Sequence, residues 1–92
     1  MDEAPLLRQL RSDLHAMDDP HGAEARALRL VVGWAEHGER VDGLPFTQAR
    51  VHGLVTTAVQ RLTDESVVFL EAGETVHADA ARRSASALEA YL

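Results

Sequence analysis

Apolar residues recur at spacings of three and four along nearly the whole chain, and only two clusters of breaking residues interrupt them. Such spacing lines one face of successive helices, and little of the chain alternates by two as a half-buried strand would. Leu6, Leu7, Leu10, Leu14 and Met17 share a face, with Arg8, Gln9, Arg11, Ser12 and Asp13 opposite, which predicts a short helix from Glu3 to Met17. Asp18-Asp19-Pro20-His21-Gly22 ends it. Asp19 is placed to cap a second helix and Pro20 to occupy its first turn, so this helix is expected over about 20–38. Its apolar side carries Ala27, Leu28, Val31, Trp34 and Ala35. Its polar stripe runs Arg26, Arg29, Glu36, Arg40, and Glu36 precedes Arg40 by the four residues an ion pair on one helix needs.

The second break is Gly38 to Phe46, with Gly43 and Pro45 inside it. Thr47 can then cap a third helix through Val51, Leu54, Val55, Ala58, Val59 and Leu62. Beyond Leu62 a separate helix could begin at Thr63 or Asp64. The series Val51, Val55, Ala58, Leu62, Ser66, Phe69, Gly73, Val76, Ala80, Arg83, Ala87, Tyr91 nevertheless keeps its phase and meets no Pro. The expectation is therefore one helix over 47–91, bent near Thr63 or Gly73, with a break at 63–66 as the alternative. Val67-Val68-Phe69-Leu70 is the one run with strand preference, and it lies inside the helical pattern. The final third is rich in Ala and Ser, small side chains that let another helix approach closely. The fold class that follows is all-α, an antiparallel helical hairpin or a small three- to four-helix bundle with a long C-terminal helix, forming a single domain over 1–92.

Nine Arg against fifteen Asp and Glu give a net charge of −6, a field that repels phosphate backbones and anionic membranes. Without Cys there is no disulfide, thiolate nucleophile or Cys-based zinc site. The longest apolar stretch, Leu30 to Ala35, falls far short of the roughly 20 residues a membrane span takes. Met1-Asp2-Glu3-Ala4-Pro5 lacks the basic and apolar segments of a cleaved signal, so the chain is expected to be cytoplasmic or exported by a route without one.

Few residues suggest chemistry. Glu74-Thr75-Val76-His77 has the Glu-x-x-His spacing of carboxylate-bridged metal bundles, but no second copy exists, and a solvated face explains it better. Asp18, Asp19 and His21, with His15 one turn upstream, could gather a cation, although turn and cap chemistry accounts for them. His37, just before Gly38, suits the last turn of the second helix as a structural residue. Arg82-Arg83 has Asp79 within ion-pairing reach on the same helix. No Gly-x-Ser-x-Gly, phosphate loop or dinucleotide fingerprint occurs, so no catalytic residue and no cofactor is expected.

Asp64-Glu65-Ser66-Val67 is similar to the Asp-Ser-Leu phosphopantetheine site of acyl carrier proteins, with Glu65 intruding between acid and Ser. A broader likeness covers about Ala23 to Leu92, ending in Ala87-Leu88-Glu89-Ala90-Tyr91. This acidic, Cys-free stretch resembles the small helical-hairpin proteins of type VII secretion systems, the WxG-motif proteins and their secretion-associated relatives. The resemblance implies two long antiparallel helices that pair as homo- or heterodimers. In place of the family's Trp-x-Gly in the hairpin turn, Trp34 is followed by Ala35 and Glu36, and the first helix is additional.

The expected function is thus a non-enzymatic helical interaction protein, a type VII secretion-like substrate or partner that associates with itself or a related helical chain. Leu6, Leu10, Trp34, Val55, Leu62, Phe69 and Val76 are the candidates for core or interface, undivided between the two. The alternatives are a metal-binding domain using Glu74 and His77, a carrier domain using Ser66, and an acidic regulatory or inhibitory protein that masks a basic surface.

Overall fold

The computed structural model describes residues 4–44 and 46–92, which form four α-helices and no strand: α1 (Pro5–Ala16), α2 (Ala23–Asp42), α3 (Gln48–Glu71) and α4 (Thr75–Glu89). The expected start at Glu3 and the punctuation at Pro45 lie outside the described residues. α1 has Pro at its start, as a residue without an N–H permits, and buries Leu6, Leu7 and Leu10. The Leu6 N–H, without a partner inside α1, donates to Gln48 Oε1 of α3 at 2.9 Å.

α2 differs from expectation at both ends. Asp19 Oδ1 accepts the His21 N–H at 3.1 Å and so builds a turn, while the helix starts three residues later than expected, at Ala23, with Gly22 at the cap. Gly38 does not stop α2. A glycine inside a helix costs about 1 kcal/mol relative to Ala, which packing overrides, and α2 runs on to Gly43, whose left-handed φ of 71° ends it. The Glu36 carboxylate also finds a different partner: Arg11 of α1, at 3.1 Å, rather than Arg40.

Thr47 caps α3 as expected, its Oγ1 accepting the Arg50 N–H at 3.2 Å. The continuous helix over 47–91 is corrected, as is its alternative break at 63–66. α3 stops at Ala72-Gly73-Glu74. Gly73 takes φ 77°, its N–H donates to the Leu70 carbonyl at 3.1 Å, and the Glu74 N–H donates to the Phe69 carbonyl at 2.8 Å. This paired closure of the last carbonyls is the Schellman arrangement, and it turns the chain back so that α4 packs along α3.

The turn also resets the helix phase. Ala78, Ala81, Ala85 and Leu88 face inward on α4, where the unbroken series put Val76, Ala80, Arg83 and Ala87. Their small side chains let α4 lie close to both α3 and α2. Buried Ser84 completes the seam, its hydroxyl 2.9 Å from the carbonyls of Ala23 in α2 and Ala80 in α4.

α1 packs on α2 and α3, giving a compact bundle with extents of 47 × 26 × 21 Å. Leu7, Leu10, Leu28, Leu88, Val31, Val51 and Val55 are the large side chains wholly removed from solvent. Truncating one such Leu to Ala costs roughly 2–5 kcal/mol through lost transfer energy and the cavity left behind.

Candidate interaction surface at the end of the α3–α4 hairpin

The structure divides the candidate residues. Leu6, Leu10 and Val55 are buried in the core, while Trp34 and Leu62 are half-buried against it. Phe69 is half-buried, and Val76 is 79% exposed, opposite the Ala face of α4, so it has no place in the core.

The last turns of α3 expose a run of large apolar side chains. Val67, Val68, Phe69 and Leu70 are consecutive, and at about 100° per residue they point to all sides of the helix. A helix apolar all round belongs in an interior. Here it has a neighbour on only part of its circumference: Val68 is 63% exposed, and Val67 and Leu70 are each 49% exposed. Val76, across the turn, is exposed as well. The acids Asp64, Glu71 and Glu74 flank the run along the chain, all exposed, while Arg61 and Glu65 border Val68 and Phe69 with Asp64.

Beside this end runs a groove of about 810 Å³ between α2, α3 and α4. Its apolar lining includes Leu30, Trp34, Leu62 and Phe69, and Arg26, Arg29 and Arg61 supply cations against the single acid Glu65. Arg61 lies 6.0 Å from the centre of the Trp34 ring and 3.8 Å from Glu65. Arg29 donates to the Pro20 carbonyl at 2.7 Å. Among the described residues no carboxylate lies within ion-pair distance of Arg26. The spacing of Arg26 and Arg29 alone reads as a solvated stripe; only the approach of α3 and α4 makes it the wall of a groove.

Of the polar motifs, Glu74 and His77 lie at the hairpin end itself. Glu74 is the residue before α4, not part of its helical turns, and His77 packs its ring against Phe69 with centroids 5.4 Å apart. Among the described residues no three His, Asp or Glu side chains gather to hold a metal ion, so neither Glu74 and His77 nor Asp18, Asp19 and His21 form a closed ligand set. Ser66 is buried and its hydroxyl donates to the Thr63 carbonyl at 2.7 Å. Arg83 pairs with Asp79 at 3.6 Å. No helix among the described residues is long and apolar enough to cross a membrane. No family model, curated protein or solved structure matches the chain.

Proposed function

We propose that the protein is a non-enzymatic helical interaction protein that associates, with itself or with a related helical chain, through the end of the α3–α4 hairpin. The observation that carries this reading is the run Val67 to Leu70, apolar on every side of a helix whose bundle covers only part of it. Contiguous apolar exposure of this kind marks interaction surfaces, and covering it removes roughly 25 cal/mol of unfavourable hydration per Å². The type VII-like proteins that the chain resembles pair through helical hairpins, and the reading agrees with that habit.

Light scattering on a size-exclusion column, over a wide concentration range, tests it. The expected result is an assembly that Val68→Asp and Val76→Asp each dissociate while the circular dichroism stays helical. Association that both variants leave intact would place the interface away from the hairpin end and overturn the assignment.

A further inference from the structure

We propose that the groove between α2, α3 and α4 is filled by a second copy of this chain, whose α3 end lies in it while receiving the first copy's α3 end in return. This rests on the association reading above and adds its partner and its geometry.

The first argument is charge. On a chain of net −6, the groove gathers Arg26, Arg29 and Arg61 against Glu65, whereas the hairpin end next to it gathers Asp64, Glu71 and Glu74. Each surface would repel its own kind and attract the other. The second is register. Asp64, Val68 and Glu71 stand at i, i+4 and i+7, so one side of α3 presents a valine between two carboxylates, the form in which a helix enters a groove with an apolar floor and cationic rim. The floor is supplied by Trp34 and Leu30, the rim by Arg26 and Arg29. The third is continuity. Phe69 and His77 line the groove and belong to the hairpin end, so two copies facing each other across Phe69 make both contacts at once. A contact of that sort closes on itself as a two-fold dimer and does not propagate into a filament.

The test is a charge exchange. Arg26→Glu/Arg29→Glu and Asp64→Arg/Glu71→Arg change exposed side chains only. Because Arg29 also holds the Pro20 carbonyl, Arg26→Glu alone serves as the companion variant. Each double variant is expected to raise the dimer dissociation constant roughly tenfold or more, and mixing the two is expected to restore a heterodimer. Trp34, the sole Trp, reports the same event by a blue shift in emission as the groove loses water. Double variants that dimerise as the wild type does, or a mixture that fails to recover, would overturn the exchange. If Val68→Asp still dissociates the assembly in that case, association through the hairpin end stands and only its groove partner is wrong. A wild-type chain that remains monomeric throughout would overturn the second-copy assignment outright.

Discussion

The edge of the Phe46 ring fills the space that a Cβ on Gly38 would need. Phe46 is buried, its backbone N–H donates to Glu39 Oε1 at 3.2 Å, and Arg50 lies 3.9 Å from its ring centre, so the backbone is tied to α2 while the ring is covered by Arg50. Gly38→Ala is therefore expected to destabilise the fold by about 1–3 kcal/mol, despite the better helix propensity of Ala. A denaturant midpoint no lower than wild type would show that the ring swings aside freely.

Gly33 and Gly53 make the opposite case. Both sit inside helices on exposed faces, and a Cβ at either meets nothing within 4 Å. Gly33→Ala and Gly53→Ala should each stabilise by about 0.5–1 kcal/mol, and together nearly additively, measured by urea unfolding.

Gly73 holds the turn that separates α3 from α4 in a left-handed conformation. Gly73→Ala is expected to cost about 1–2 kcal/mol, because the Cβ crowds the following carbonyl. Hydrogen exchange checks the location of the effect: the amides of Gly73 and Glu74, which close the last carbonyls of α3, should lose protection first.

The Tyr91 hydroxyl donates to Asp13, tying the residues after α4 to α1. Burial, then this hydrogen bond, then the negative charge of Asp13 push the Tyr91 pKa well above its ordinary value of about 10. A raised pKa means that the folded state holds the proton more tightly than the unfolded chain. The stabilisation is thus complete below about pH 10 and is lost as pH climbs toward the folded pKa. Tyr91→Phe should lower stability at neutral pH by about 0.5–1.5 kcal/mol and flatten its decline above pH 10, as thermal melts at both ends of that range would reveal.

Leu10 and Val76 separate the core from the surface. Leu10→Ala should cost about 2–5 kcal/mol, whereas Val76→Ala should stay within roughly 0.5 kcal/mol of wild type in dilute monomer. A large loss at Val76 would mean that the first turn of α4 is covered.

The spacing of apolar residues is enough to read an all-α bundle, the helix of Leu6 to Leu14, and the cap at Thr47. It does not say which glycines stop a helix. Gly33, Gly38 and Gly53 ride inside helices, whereas Gly43 and Gly73 end them, and the difference lies in whether the backbone there turns left-handed to meet the preceding carbonyls. Because Gly73 falls in phase with the series from Val51, the period gives no sign of a stop and carries Val76 onto the wrong side. Periodicity also names a face without naming what covers it, so Val55 and Phe69 look alike in sequence. Spacing is silent on the groove for a related reason: Arg26 and Arg61 are far apart in the chain, and only helix packing joins them.

Ala78, Ala81 and Ala85 hold α4 by nearness, not by bulk. Dispersion between atoms falls steeply with distance, and a gap of 0.5–1 Å forfeits about a quarter to a half of it. Leu88 alone adds a large buried side chain to this face, at its far end. The alanines therefore act as a gauge: their single methyl groups set how near α4 lies to its neighbours, and any larger side chain there would wedge the helices apart.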